Sequence, residues 1–280
     1  MMFAQLTHRE SLRDIEICLR SLKKKLFLCG FRGKISKSTL AEANNKRDWR
    51  IYRDFAGILI KEAKKLYLDE PFGVELKNSV YAFDSSIISL CLSVFPWAKF
   101  RTTKAGIKMH TQLDLHGNIP VFIDLSDAAQ SDSVALDNLI IEAGSVYILD
   151  RGYVDFKRLY YFVNNLAFFI VRAKKTVADL YKSRWQVELF FKWIKQHLKI
   201  KSFFGTSRNA VYSKIWIAIS AYVLIAIVKK RLKIDKSLYS ILQFLSIALF
   251  HKIPIFTALN DIQEVENNSQ NYKQLNLFDY

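Results

Sequence analysis

The sequence has few of the residues that interrupt regular structure. Its 280 residues include only 9 glycines and 4 prolines, which argues against long disordered or low-complexity segments. Cysteine is also scarce: Cys18, Cys29 and Cys91 form an odd number without the spacing of a zinc site, so we expect reduced thiols. The five histidines are scattered and form no ligand group.

Acidic residues are in short supply, and their distribution is uneven. The chain has 26 Asp and Glu against 42 Lys and Arg, a net charge of +16, which suggests a polyanionic partner such as nucleic acid. Residues 172–236 contain 16 basic and 3 acidic side chains, a net of +13, whereas residues 76–171 contain 8 basic and 9 acidic ones. A near-neutral block rich in Asp, followed by a strongly basic block, is what a metal-dependent phosphodiester enzyme needs.

Long hydrophobic runs are missing, with one exception. Residues 215–228 form an apolar run of 14 residues bounded by Lys214 and Lys229. Because a membrane span needs about 20 residues, the run predicts a buried core helix, with a short membrane-associated helix as the alternative. No signal peptide is apparent, and we expect a cytoplasmic protein.

The first 75 residues predict helices. Apolar residues recur at helical spacing over residues 11–27, Ser36 offers a helix cap, and residues 49–68 predict a third helix. For that helix we expect Ile51, Phe55, Ile58 and Leu59 on one side. Short helices with basic residues suit a DNA-contacting bundle or any other small helical domain, and we expect that a longer N-terminal part is missing.

A change of pattern after residues 69–73 predicts an α/β region. Alternation over residues 106–115 places Ile107 and Met109 on one face of a strand and Lys108 and His110 on the other. The helix at 155–166 is expected to place Phe156, Leu159, Tyr160 and Val163 on one side. The predicted order is strands at 80–88, 106–115 and 119–125, a helix at 131–142, a strand at 145–149, a helix at 155–166, a strand at 168–171 and a last helix at 181–195.

That last helix carries a cationic stripe with one acid in its middle. At about 100° per residue, one face holds Tyr181, Arg184, Glu188, Lys192 and Lys195, and the opposite side is apolar. One interpretation is an amphipathic helix with intrahelical ion pairs, each worth a few tenths of a kcal/mol. The other makes Glu188 a metal ligand and the cations contacts to a phosphate backbone.

Two further acids lie at positions where a carboxylate is expected to bind a cation or a hydrogen-bond donor. Asp84 lies inside a strand, where Asp is disfavoured and an unpaired ion is costly to bury. Asp150 ends an apolar strand, at the edge where α/β sheets place ligands. With Glu188 they would suit two divalent cations, which can activate an attacking water or hydroxyl and stabilise the leaving oxygen of a phosphodiester. Taken singly, Asp84 could pair across the sheet, Asp150 could cap a turn, and Glu188 could form a surface ion pair.

The spacing Tyr181, Arg184, Glu188 and Lys195, together with Asp150-Arg-Gly-Tyr, resembles the signature of the insertion-sequence-four family of bacterial DDE transposases. The similarity extends to about residue 258. It implies an α/β fold with a ribonuclease-H-like core, which the predicted order of elements fits. The implied domains are a helical, partial DNA-binding region (1–75), a catalytic domain (76–235) and a C-terminal helical segment with a tail (236–280).

The resemblance also implies an activity. The protein would be a Mg²⁺-dependent transposase with two metal ions, Mn²⁺ being possible in their place, that nicks element ends and joins the element to a target. Its partner would be double-stranded DNA, bound by a dimer in the bacterial nucleoid, with no membrane and no small-molecule substrate. The implied metal ligands and catalytic residues are Asp84, Asp150 and Glu188; the implied DNA contacts are Tyr181, Arg184 and Lys195, to which charge and position add Arg151 and Lys192, and Trp185 could stack on a base.

The sequence departs from the family pattern at one place that matters. Members usually carry a β-rich insertion between the fifth strand and the helix of Glu188, but here Arg172 to Lys175 lead directly into Thr176. We therefore expect a compact core without the insertion, in which hairpin chemistry at the cut is in doubt. The alternative function is an internally deleted, catalytically defective copy that only binds DNA.

Overall fold

The computed structural model describes residues 1–71, 76, 78–171, 181–200 and 202–250, without the side chains of residues 23, 24 and 29. The predicted junction at 172–176, where the insertion is expected to be missing, lies outside these residues. The helices are α1 Met2–Leu6, α2 Leu12–Ser21, α3 Lys37–Lys46, α4 Arg50–Leu66, α5 Phe156–Asn164, α6 Trp185–His197, α7 Arg208–Arg231 and α8 Leu238–Ala248. The strands are β1 Val80–Leu90, β2 Lys99–Arg101, β3 Lys104–Asp114, β4 Ile119–Asp127, β5 Val146–Leu149 and β6 Phe168–Val171, and short 3₁₀ turns cover Lys23–Cys29, Pro96–Ala98, Asp132–Asn138 and Arg151–Tyr153.

Side-chain caps fix where most of the longer helices begin. Ser36 accepts a hydrogen bond from the Thr39 amide at the start of α3, as predicted, and Asp155 accepts two amides at the start of α5. Ser11, Ser207 and Ser237 do the same for α2, α7 and α8. Each cap satisfies an amide that has no partner within the helix.

The strands form one mixed sheet in the order β4, β3, β1, β5, β6, with short β2 paired to the beginning of β3. β1, β3 and β4 are antiparallel neighbours, and β5 and β6 run parallel to β1. β3 is buried on both faces from Ala105 to Asp114 because it is paired on both sides and covered above and below. The predicted α/β fold class and the predicted strands are confirmed.

The two faces of the sheet pack against different partners. Val80 and Ala82 of β1 belong to a large core with α4, α6, α7 and α8, whereas Tyr81 and Phe83 belong to a smaller core with α5 and the Asp132–Asn138 turn. Alternate residues of β1 therefore face opposite layers. A third cluster joins α1, α2 and α3 through residues such as Ile15. The predicted domain boundaries stay predictions.

Helix α7 is the core helix predicted from residues 215–228. It is long and apolar enough to cross a membrane by length and composition, but 89% of its apolar window is buried inside the protein. It packs along α4 and also contacts α6 and β4. Its hydrophobicity is therefore accounted for by internal packing.

In two helices the predicted apolar side is not the buried one. In α4, Ile51, Phe55 and Ile58 are exposed and Leu59 is partly buried, whereas Ala56, Ile60 and Ala63 are buried in the core that α4 shares with α7. In α5, Phe156, Tyr160 and Val163 are exposed, and Leu159 packs inward with Phe162 instead. Both helices have two neighbouring apolar faces, so periodicity alone could not choose between them.

The predicted helix at 131–142 is also wrong, since only the 3₁₀ turn Asp132–Asn138 forms there. Its acidic side chains are engaged elsewhere: Asp132 accepts a hydrogen bond from Ser85, and Asp137 pairs with Arg158. The β-branched pair Ile140 and Ile141 then favours extended backbone. The predicted helix at 181–195 is interrupted: Tyr181 is helical, a turn follows at Ser183 and Arg184, and α6 begins at Trp185.

Candidate active site

Asp84 and Asp150 are brought together by the register of two parallel strands. β1 and β5 pair up to Phe83 and Leu149, and each predicted acid is the next residue along its strand. Adjacent parallel strands end at the same edge of a sheet. The two carboxylates therefore lie at neighbouring positions of that edge.

Asp84 is held in a largely buried position. Its Oδ1 accepts a hydrogen bond from the Ser85 amide at 2.8 Å, and its Oδ2 accepts one from Arg184 Nη1 at 2.5 Å. Burial raises the pKa of Asp84 to about 6; Arg184 opposes this rise, and the nearby charges of Asp150 and Glu188 add to it. A raised carboxyl pKa next to like charges is typical of functional sites.

Arg184 bridges two of the three predicted metal ligands. While Nη1 contacts Asp84, Nη2 donates to Glu188 Oε1 at 2.7 Å. The guanidinium is mostly buried, and its Nε has no hydrogen-bond partner among the described residues. In this structure its charge neutralises the two carboxylates, so Arg184 would have to move to make the predicted contact with DNA phosphate.

Asp150 is held by another residue of the predicted signature. The Tyr181 hydroxyl donates a hydrogen bond to Asp150 Oδ1 at 3.2 Å. Tyr181 also lies against Arg184, whose guanidinium carbon is 5.7 Å from the centre of its ring. Tyr181 and Arg184 thus link Asp150 to Asp84 and Glu188.

An open groove runs from these acids along α6. Lys195 donates a hydrogen bond to Ser86, which lies two residues after Asp84. The predicted DNA contacts Lys192 and Lys195 thus lie on the same wall as Glu188. The groove is lined by Asp84, Ser85, Ser86, Glu188, Phe191, Lys192, Lys195 and Gln196.

The other predicted contacts lie beside this groove. Trp185 is exposed at the start of α6, accessible for the predicted stacking. Arg151 is exposed in the 3₁₀ turn after Asp150. The apolar back of α6 buries Val187, Phe190 and Ile194 as predicted, but Leu189 is exposed.

The carboxylate oxygens of Asp84, Asp150 and Glu188 suit a hard divalent cation, although in this structure they do not meet around one point. Among the described residues, no three His, Cys, Asp or Glu side chains are placed to hold a metal ion as they stand. Instead the positive guanidinium of Arg184 occupies the place between Asp84 and Glu188 where a cation would sit. Carboxylate oxygens are the ligands that Mg²⁺ prefers, so the residues fit a divalent ion once Arg184 withdraws.

Sequence reasoning missed the residues that support these acids from below. Ser85 and Asp132 lie on the other face of the sheet and are joined by a hydrogen bond of 2.7 Å. Lys108 and His110 of β3 lie next to Asp132. The only signal in the sequence is a pair of short polar runs, residues 84–86 and 131–133. Without the fold, no pattern in the sequence indicates that these two runs are in contact.

Comparison with known protein families gives a clear match. The family model described as a transposase DDE domain matches residues 75–178 and 172–224, which is more than half of the chain. A second model, described as a domain of unknown function, matches residues 1–32. The first match covers the sheet, the groove and most of α7.

Several curated proteins are similar to this chain. A putative transposase of Sinorhizobium fredii is 27% identical over 255 residues, covering 67% of this chain and 70% of that protein. A probable insertion-sequence transposase of Geobacillus stearothermophilus is 24% identical over 206 residues, covering 51% and 54%. A putative insertion-sequence transposase of Synechocystis is 22% identical over 267 residues, covering 74% and 75%.

These matches agree with the sheet order and with the acids at its edge. The DDE domain implies a ribonuclease-H-like fold, as predicted. The predicted resemblance to insertion-sequence transposases is confirmed. The chain belongs to the DDE transposase family, and its similarity to insertion-sequence transposases is consistent with the insertion-sequence-four type.

Proposed function

We propose that this transposase cuts and joins DNA with two Mg²⁺ ions held by Asp84, Asp150 and Glu188. The observation that carries the proposal is the strand register that sets Asp84 beside Asp150, with Glu188 reaching Asp84 through one guanidinium. Bound divalent ions would activate the attacking oxygen and stabilise the leaving oxygen of the phosphodiester. Mn²⁺ prefers similar oxygen ligands and could replace Mg²⁺.

The protein's own side chains would bind and orient the DNA. Lys192 and Lys195 line the groove beside Glu188 and can contact phosphates on either side of the cut. Arg184 would turn from the carboxylates to a phosphate oxygen, for which a guanidinium is well suited. Arg151 and Tyr181, next to Asp150, would complete the phosphate contacts, and Trp185 would stack on a base.

The partner would be double-stranded DNA, at the ends of the element and at its target. Joining two ends requires two active sites, so we propose a dimer on DNA, located with the bacterial nucleoid in the cytoplasm. The test is incubation of the purified protein with Mg²⁺ and element-end DNA, which should give nicks. Salt-sensitive binding without nicks would favour the defective-copy alternative, which no comparison and no contact of the described residues supports.

The raised pKa of Asp84 predicts that metal binding weakens in acid. The folded, metal-free protein holds the Asp84 proton up to about pH 6, so its own stability declines as the pH rises from about 4 to 6. A metal ion must displace that proton. Mn²⁺ affinity, measured from the spectrum of free Mn²⁺, should be constant above pH 6 and fall about tenfold per pH unit below it. An affinity that stays constant from pH 5 to pH 7 would contradict the assignment of Asp84 as a ligand.

Replacing Arg184 with methionine should destabilise the metal-free protein and increase its response to metal. Asp84 and Glu188 would lose their shared cation, which costs about 2 kcal/mol of unfolding free energy, less than for a fully buried pair because Glu188 is partly exposed. Saturating Mg²⁺ should recover part of this loss, so it should raise the melting temperature of Arg184→Met more than that of the wild type.

Arg158 provides the matched control, since it also bridges two acids, Asp137 and Asp155, but far from the groove. Arg158→Met should lose stability without gaining any extra response to Mg²⁺. An equal Mg²⁺ response in both variants would mean that Arg184 does not occupy the metal position.

A further inference from the structure

A fourth carboxylate lies directly beneath the site, on the opposite face of the sheet. Ser85 follows Asp84 in β1, so its side chain points to the other face. There its hydroxyl donates to Asp132 Oδ1 at 2.7 Å. Asp132 thereby holds the segment of β1 that carries Asp84.

The same carboxylate also reaches the segment that carries Asp150. Asp132 Oδ2 lies 3.6 Å from the point where a β-carbon on Gly152 would be. The 3₁₀ turn that begins at Asp132 packs against the 3₁₀ turn Arg151–Tyr153. Buried Tyr153 lies between them, and burial followed by the charges of Asp132, Asp84 and Asp150 raises the pKa of its phenol.

The charge of Asp132 is balanced on its own side of the sheet. Lys108 Nζ lies 3.2 Å from Asp132 Oδ1 and donates a hydrogen bond to the Gln130 carbonyl. His110 Nδ1 is 3.9 Å away from the same oxygen, but burial lowers the pKa of His110 to about 4, so the ring is neutral. Lys108 is therefore the counter-ion, and Asp132 is held in place as an anion rather than aimed at the groove.

Strand pairing fixes Asp84 more firmly than Asp150, since Asp84 lies opposite Thr111 in the ladder of β1 with β3. Pairing of β1 with β5 ends at Phe83 and Leu149, one residue before Asp84 and Asp150. Beyond that point the position of Asp150 relative to β1 depends on the packing of the Arg151–Tyr153 turn and on side-chain contacts. On this face of the sheet, Asp132 contacts the segment of Asp84 through Ser85, and its turn packs against the Arg151–Tyr153 turn that follows Asp150.

We propose that Asp132 is a positioning residue that sets the spacing of Asp84 and Asp150 for metal binding. This inference rests on the proposed function, because it assigns Asp132 to the support of that metal site. Groups that orient metal ligands typically change metal affinity by 10–100-fold when they are removed. Asp132 acts through Ser85 and is not itself a ligand.

The test compares Mn²⁺ affinity in five variants. Asp132→Ala and Ser85→Ala remove the two ends of the same hydrogen bond, so each should weaken Mn²⁺ binding by about 10-fold or more, and the double variant should be little worse than either. Asp132→Asn keeps an oxygen that accepts from Ser85 and should bind Mn²⁺ nearly as the wild type does, although Lys108 loses its counter-charge and stability falls. Asp137→Ala is the control: Asp137 lies in the same turn but pairs with Arg158, so its loss should leave Mn²⁺ affinity unchanged.

The outcomes separate this inference from the proposed function. If Glu188→Gln loses Mn²⁺ binding while Asp132→Ala and Ser85→Ala bind as the wild type does, the metal site stands and the role of Asp132 is wrong. If the wild type binds no Mn²⁺, both fail. Should Asp132→Ala not fold, Ser85→Ala decides alone, because it removes only one hydroxyl.

Discussion

Replacing Glu188 with glutamine should lower Mg²⁺-dependent nicking of element-end DNA by about 1,000-fold or more, since a metal ligand supplies several kcal/mol of transition-state stabilisation. Glutamine keeps the size of the side chain and a carbonyl oxygen for Arg184, but it removes the charge that a divalent cation needs. The affinity for DNA should change little, because the basic wall of the groove remains intact.

The measurement is a time course of strand cleavage on supercoiled plasmid that carries the element's terminal sequence. Glu42→Gln is the control, because Glu42 is an exposed acid of α3 paired with Lys46, and it should cleave at the wild-type rate. Cleavage by Glu188→Gln at more than about a tenth of the wild-type rate would remove Glu188 from the metal ligands.

Affinity for DNA should fall by about 1,000-fold or more between 50 and 200 mM salt, the behaviour of a protein that makes six or more phosphate contacts. The cause is the release of counterions from DNA by the basic side chains of residues 172–236, which carry a net charge of +13. A logarithmic plot of affinity against salt, from fluorescence anisotropy of labelled DNA, gives the number of contacts as its slope.

The variant Lys192→Gln, Lys195→Gln should make that slope shallower by about two, one contact for each lysine. Lys157→Gln serves as the control, because Lys157 is exposed on α5, on the face of the sheet opposite α6. If the double variant keeps the wild-type slope, the DNA does not follow the groove beside Glu188.

The sequence predicted best the features that depend on a strict pattern. The alternation in β3 and the apolar run of β5 located these strands. The fixed spacing of Tyr181, Arg184, Glu188 and Lys195 located the helix of the site. Polar residues at unusual positions, such as Asp84 inside a strand, pointed to the site because burying an unpaired charge is costly. These signals depend only on residues that are close together in the chain, so they can be read without knowing the fold.

What the sequence could not predict depends on partners far away in the chain. α4 buries Ala56, Ile60 and Ala63 where it packs along α7, and no pattern within α4 reports that neighbour. The link between Ser85 and Asp132 joins residues 47 positions apart. The predicted phosphate contact Arg184 has two carboxylates for partners in this structure, a choice that depends on strand register and not on spacing.

The guanidinium between Asp84 and Glu188 has a consequence for the order of assembly. At the proposed metal site, an entering metal ion would displace Arg184, and a DNA phosphate would offer that displaced cation a new anion. Each ligand thus lowers the free-energy cost of binding the other, so metal and DNA should bind with positive cooperativity, and by linkage the effect must be equal in both directions. A transposase built in this way would remain inactive in the cell until it reaches its substrate. A metal ion replaces only the cation that Asp84 and Glu188 contact, and a DNA phosphate replaces only the anions that Arg184 contacts.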